Sequence, residues 1–296
     1  MADNLFGELI SFKNKDGYCH DGIFFYASHS TKTIIHVHGS YGNFYQQRFV
    51  RTMAKHYLAA GFNFLSFNLT CHDGFGDAYY NENFKYTGGA LSDFSSCVQD
   101  IQAAIEFVAP FSSQIILQGH SLGCDRVVHY LLTTGNLYDF ILLSPCDSYR
   151  LQTILISPET VEHQIERLKK GNKDNDEFDW LPLNEYGVKQ GEGWTYPNPI
   201  TRKAFLSILQ GPPFYLFRMD QPMLYYINSR CFVYIGGKDL LQTSSPEIVS
   251  SFFKERVESI QVAVVQEGDH GLESCEDSIS NLIVEWIRTQ KKETQP

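Results

Sequence analysis

No stretch of this chain approaches the roughly 20 consecutive apolar residues that a membrane-spanning helix requires, so no span is expected. The opening residues Met1-Ala2-Asp3-Asn4 lack both a basic segment and an apolar one, which argues against a secretory signal and for a cytoplasmic protein. Long blocks of like charge are also missing, and among the basic residues only the pairs Lys169-Lys170 and Lys291-Lys292 stand out. With 34 acidic against 24 basic residues and a net charge of -10, nucleic acid is an unlikely partner on electrostatic grounds. There is no C-x-x-C pair. The seven cysteines are odd in number and irregularly spaced, the pattern of free thiols in a reducing compartment rather than of a disulfide framework. A Gly-rich phosphate loop, an internal repeat and low-complexity sequence are absent too, and no cofactor is expected.

What the chain does have is length for one large α/β domain or a core with an insertion, and aromatic residues at 14% to fill it. Residues 5–12 and 18–27 alternate apolar with polar around Asn14-Lys15-Asp16-Gly17, which predicts an N-terminal β-hairpin. Thr33 to His38 reads as a buried strand ending at Gly39, Tyr45–Ala60 as a helix stopped by Gly61, and Phe62–Phe67 as another strand. Residues 68–89 show no clear period and are expected to form a long loop. A helix capped by Ser92 and running to Val108, a strand at 114–117, a helix after residue 121 and a strand at 140–143 complete a β/α alternation, which implies a mainly parallel sheet covered on both faces. From 148 to 228 the composition turns charged and turn-rich. A helix is expected over 159–170, a polar loop over 171–179, irregular chain over 192–199 and a helix over 201–209. Strands at 231–235 and 260–265 and helices at 246–256 and 276–290 then resume the alternation. The division expected is a core of 1–147 and 229–296, with 148–228 inserted after the sixth strand.

Chemistry concentrates at three strand ends. Gln118-Gly119-His120-Ser121-Leu122-Gly123 is a G-x-S-x-G at a strand-to-helix turn, where a side chain on either glycine would collide as strand and helix approach. A serine hydroxyl is a poor nucleophile at neutral pH and needs a base, which in turn needs an acid to orient it, so candidates must come as a set. In sheets of this kind such groups sit at the carboxyl ends of strands. Asp239 in Gly236-Gly237-Lys238-Asp239 and His270 in Gly268-Asp269-His270-Gly271 stand at two more of those ends.

The chain order Ser, Asp, His on an alternating β/α chain resembles the α/β-hydrolase fold over nearly the whole length. That resemblance implies a sheet of about eight strands with a helical cap, Ser121 as nucleophile, Asp239 as orienting acid and His270 as general base. It makes Asp147 a rival acid, since some members of the fold carry the acid after the preceding strand. It also places an oxyanion loop at His38-Gly39-Ser40-Tyr41-Gly42, with the backbone N–H groups of Leu122 and Ser40 as donors. The segment departs from the lipase His-Gly-Gly-Gly run, so Gly39 or Tyr41 are alternative sources of the second donor. Tyr41 and His120 are expected to contact substrate. The activity implied is hydrolysis of a carboxylic ester through an acyl-enzyme. The same machinery would serve a thioesterase, amidase or peptidase, and a catalytically silent binding member of the fold is the alternative from another class.

The segments Asn198-Pro199-Ile200-Thr201-Arg202, Phe205 to Ile208 and Tyr225-Tyr226-Ile227 resemble the cap of a fungal hydrolase group that includes siderophore esterases. Gly74 to Tyr80 is expected to form a facing wall of a partly apolar pocket for a small acyl substrate, with Arg202 or Lys238 as the cations placed to take one carboxylate. Cys71-His72-Asp73 reads as a pocket loop, because adjacent residues cannot all face one metal ion. Cys124 reads as a structural thiol.

Overall fold

The computed structural model describes residues 5–153, 157, 159–171, 178–183, 187–190, 193–220 and 226–289. The first two strands, β1 (Glu8–Lys13) and β2 (Cys19–Phe25), form the expected hairpin, in register from Glu8 opposite Phe24 to Lys13 opposite Cys19. There follow β3 (Lys32–Val37), α1 (Arg48–Ala59) and β4 (Asn63–Phe67), then β5 (Gly76–Tyr80) and β6 (Asn83–Thr87). Next come α2 (Cys97–Val108), β7 (Gln114–His120), α3 (Leu122–Thr134) and β8 (Asp139–Leu143).

Between β8 and the next strand of the main sheet lie α4 (Ser148–Leu151), α5 (Val161–Lys170), a small antiparallel pair β9 (Gly187–Gln190) and β10 (Gly193–Pro197), and α6 (Arg202–Leu209). The chain closes with β11 (Ile227–Gly236), α7 (Pro246–Lys254), β12 (Val257–Val265) and α8 (Glu276–Arg288).

Eight strands make one sheet in the order β1-β2-β4-β3-β7-β8-β11-β12. The first two are antiparallel to their neighbours and the other six run parallel. Because a parallel interior strand is buried on both faces, its sequence is mostly apolar while alternate residues face opposite layers. Ile35, Leu65, Leu117, Leu142 and Val233 enter the core under α2, α3 and α7, whereas Ile34, Phe64, Ile116, Ile141 and Phe232 enter the core under α1 and α8. A third, separate cluster built around Val161, Leu168, Phe205 and Phe214 holds the segment between β8 and β11 together.

The order of the sheet fixes where a site can form. From β3 the chain moves outward to β4, then returns to place β7 on the other side of β3, so a crevice opens at the carboxyl ends of β3 and β7. His38-Gly39-Ser40 and His120-Ser121 therefore meet there.

Several expectations are corrected. Residues 68–89 are not a bare loop: β5 and β6 pair as a hairpin, Gly76 opposite Thr87 through Tyr80 opposite Asn83. Its turn residues Asn81 and Glu82 both take positive φ, of 42° and 70°, without the glycine that announces such a turn in sequence. The side-chain cap is Asp93 rather than Ser92: its carboxylate accepts from Ser95 N–H and caps the 3-10 turn Phe94–Ser96 that leads into α2. The stretch expected to be irregular near 192–199 contributes β10. Parts of the expected polar loop, Glu192, Tyr225, and the tail with Gln290 and Lys291-Lys292 lie outside the described residues. Among the described residues no helix is long and apolar enough to cross a membrane.

Candidate active site

Ser121 sits between β7 and α3 with φ 54° and ψ −127°, a conformation that non-glycine residues rarely hold and that the surrounding structure must impose. The imposition comes from crowding. A Cβ on Gly123 would strike the Val37 carbonyl oxygen, and one on Gly119 would strike the Gly123 carbonyl, so strand and helix can close on this turn only with glycine at both places. Ser121 N–H donates to the Leu143 carbonyl (2.9 Å), which ties the turn to β8.

The loops after β11 and β12 are knitted to each other. Gly237 N–H donates to Val265 O at 2.8 Å and Lys238 N–H to Gly268 O at 2.9 Å. This pairing brings His270 Nδ1 to 2.9 Å from Asp239 Oδ2, while Leu241 N–H donates to the other carboxylate oxygen at 2.9 Å. A carboxylate only accepts here, so Nδ1 carries the proton and Nε2 is left as the acceptor edge of the ring. His270 and Ser121 line the same cavity of about 280 Å³. Asp147 has no part in this pair. Its carboxylate accepts from Arg150 N–H and Met219 N–H, each at 2.9 Å, and so caps α4 and anchors the chain before β11; burial raises its pKa.

The loop after β3 packs directly on the serine: a Cβ on Gly39 would lie 2.9 Å from Ser121 Cβ. The Gly39 carbonyl is held by His38 Nδ1 (2.8 Å), Arg126 Nη1 (3.0 Å) and Gly42 N–H (3.3 Å). In a trans peptide the C=O and N–H point oppositely, so three donors on this oxygen turn the Ser40 N–H to the other side of the peptide plane. Gly39 and Ser40 both line the cavity, as does Leu122, the first residue of α3. Leu69 N–H donates to His38 Nε2 (3.1 Å), which fixes the Nδ1–H tautomer of a ring kept neutral by burial and by Arg126. Arg126, buried on α3, was not legible as a site residue, since nothing in its sequence neighbourhood links it to His38 and Gly39.

The two expected substrate contacts are engaged elsewhere. The Tyr41 hydroxyl donates to the Pro199 carbonyl (2.9 Å), joining the β3 loop to the segment before α6, and Tyr41 is not among the described residues lining the cavity that holds Ser121. His120 does line it, but both ring nitrogens are used within the protein. Nε2 donates to the His270 carbonyl at 2.8 Å, so neutral Nδ1 accepts from Gln47 Nε2 at 3.2 Å.

The hydrogen-bonded chain continues inward from Gln47. Gln47 Oε1 accepts from His36 Nε2 (3.1 Å), His36 Nδ1 accepts from Gln118 Nε2 (3.0 Å), and Gln118 Oε1 accepts from the Tyr57 hydroxyl. Because a carbonyl can only accept, the direction of every bond in this chain is determined. It requires neutral imidazoles, and burial supplies them: His36 is lowered to about 4, and His120 well below the usual range by burial and then by the neighbouring His270. The Ser144 hydroxyl also donates to the His270 carbonyl (3.0 Å).

In the remaining wall Leu151, Ile208, Phe214 and Leu241 give apolar surface, with Ser148, Gln152 and Asn198 as polar points and, among the described residues, no Asp, Glu, Lys or Arg. Arg202 is paired with Asp179 and Lys238 with Glu267, so both cations offered by the sequence are committed. The β5–β6 hairpin does not reach the wall; Phe75 packs against Tyr86 and Trp180 at the surface. His72 pairs with Asp73 at 2.7 Å while Cys71 is buried in the core, so that triplet does not converge. Among the described residues the one group with converging metal-type atoms is Cys146, Asp239 and His270, within 4.8 Å of one another. Burial and the Asp239 charge push the Cys146 thiol well up, and the protonated thiol beside an occupied Asp–His pair is a poor ligand set. Cys124 is buried and points its thiol at the Gly119 and Leu143 carbonyls.

No family model matches the chain, and no curated protein matches it in sequence. Solved structures do. An esterase from Pyrococcus furiosus superposes with TM-score 0.62 at 16% identity, covering 97% of this chain and 91% of that one. Est1E from Butyrivibrio proteoclasticus, solved with ferulic acid bound, gives 0.63 at 13% identity over 94% and 98%. The esterase domain of a Rhodothermus marinus protein gives 0.61 at 14% identity over 96% and 98%. Likeness at such identity speaks to the fold, and the fold is that of the α/β-hydrolases.

Proposed function

We propose that the protein is a serine hydrolase that cleaves a neutral carboxylic ester through an acyl-enzyme on Ser121. The observation that carries the reading is the His270 Nδ1–Asp239 Oδ2 pair at 2.9 Å sharing one cavity with a serine held at positive φ. In this reading Nε2 of His270 takes the Ser121 proton as the oxygen attacks the ester carbonyl, then returns it to the departing alcohol; water, deprotonated by the same nitrogen, releases the acid. Asp239 holds the tautomer and stabilises the imidazolium. The N–H groups of Leu122 and Ser40 receive the developing oxyanion, each such donor being worth about 2.7–4 kcal/mol in comparable sites. Arg126 and His38 act as positioning residues, because they set the peptide that carries the Ser40 donor.

His120 is read as a support for the His270 backbone and Tyr41 as a strut to the inserted segment. Residues 148–228 are read as a cap that closes over the cavity and selects the substrate. The esterases among the structural neighbours favour an ester over other acyl substrates. A chromogenic ester panel of varied chain length, run beside thioesters and anilides, tests this. Esters should be turned over fastest, with activity lost in Ser121→Ala. Equal turnover by wild type and Ser121→Ala, or preference for thioester or anilide, would overturn the ester reading.

A further inference from the structure

The inserted segment contributes one buried polar side chain whose orientation follows without any assignment of atoms. Gln164, on α5 and 1% exposed, lies with its Nε2 2.8 Å from the Glu159 carbonyl, which can only accept. Its Oε1 must therefore be the atom turned toward Gln152, at 2.9 Å, and Gln152 must meet it with Nε2. The amide of Gln152 is fixed in turn. Gln152 is 2% exposed and lines the cavity that contains Ser121, and its Oε1 has no partner among the described residues. A carbonyl acceptor is thus held in an otherwise largely apolar pocket, on an amide whose second N–H likewise shows no partner among the described residues.

We infer that Gln152 is a specificity-determining residue, and that the substrate carries, in the part lodged in this cavity, a neutral group that both donates and accepts a hydrogen bond, such as a hydroxyl or a primary amide. The inference rests on the site reading above and extends it to substrate class. A plain alkyl chain would cover Oε1 and leave it unpaired, at the desolvation cost of a buried acceptor without a donor. A carboxylate would present a charge to a wall with no cation among its described residues and to the Gln152 oxygen itself, so an acid in place of the hydroxyl is rejected.

The size of the cavity bounds the group. An engineered apolar cavity of about 150 Å³ holds benzene, so about 280 Å³ has room for a ring with a short chain.

The test is calorimetric titration with non-hydrolysable matched pairs, 4-propylphenol against propylbenzene and 1-heptanol against heptane, on wild type, Gln152→Met and Gln164→Leu. Because neither ligand is cleaved, the result stands apart from whether esters are turned over; failure of ester turnover in the panel above would fall on the ester reading alone. Wild type should bind the hydroxylated member of at least one pair about tenfold or more tightly than its partner. Gln152→Met, similar in volume, should bring that ratio near one while keeping the binding of the hydrocarbon. Gln164→Leu should lower the ratio to a few-fold, since the Gln152 amide loses its anchor. A ratio near one in wild type, or the same ratio in wild type and Gln152→Met with both proteins folded by circular dichroism, would overturn the inference.

Discussion

Asp239 and Asp147 follow neighbouring strands, β11 and β8, yet only Asp239 meets a histidine. The difference lies in what each carboxylate already holds. Asp147 is filled by two backbone N–H groups that order α4 and the approach to β11, whereas Asp239 keeps one oxygen for Leu241 N–H and gives the other to His270. Asp239→Asn should therefore reduce ester turnover by about 10³–10⁴-fold, because an amide in that place favours the wrong imidazole tautomer. Asp147→Asn should leave turnover within about tenfold and show its effect as lost thermal stability. Steady-state kinetics of the two variants side by side check this, and the reverse order would move the acid to Asp147. In the sequence both aspartates read as strand-end acids, and only the hydrogen bonds each one makes separate them.

At the scale of elements, the β7–turn–α3 unit was legible because its rule is local: two glycines four residues apart permit the close approach that Ser121 needs. The polar chain behind it was not. Tyr57, Gln118, His36, Gln47 and His120 come from α1, β3, β7 and the loop between β3 and α1, and nothing in their spacing announces that they meet. Arg126 escaped for the same reason.

The chain makes a prediction with a definite sign. His36 and His120 refuse protons that they would accept in the unfolded state, so both imidazoles stay neutral as pH falls through 6.5, and folding loses stability over the window from 6.5 down to about 4. For His36 alone the loss is about 1.4 kcal/mol per pH unit in that window. Long-range ¹H–¹⁵N correlation of the histidine side chains should show Nε2–H tautomers for His36 and His120 and an Nδ1–H tautomer for His38, unchanged from pH 7.5 to 5.5. Titration of His36 or His120 near 6.5 would contradict the chain.

For the whole molecule, the alternation of buried strands with amphipathic helices carried most of the fold, since a parallel sheet is covered on both faces and its strands are therefore mostly apolar. What the pattern could not carry was the surface hairpin β5–β6, whose turn lacks glycine and whose aromatic residues face outward, and the pair β9–β10 inside the insertion. The arrangement of the sheet explains why residues more than 80 positions apart in sequence, Gly39 and Ser121, come into contact: the strands that carry them are neighbours where the strand order reverses. In the function we propose, this crevice makes Ser121 a nucleophile. A fluorophosphonate probe followed by mapping of the modified peptide tests it most directly. A single adduct on Ser121 is expected, absent in Ser121→Ala and formed far more slowly when His270 is replaced by Ala. An unlabelled wild-type protein, or labelling that survives Ser121→Ala, would contradict it.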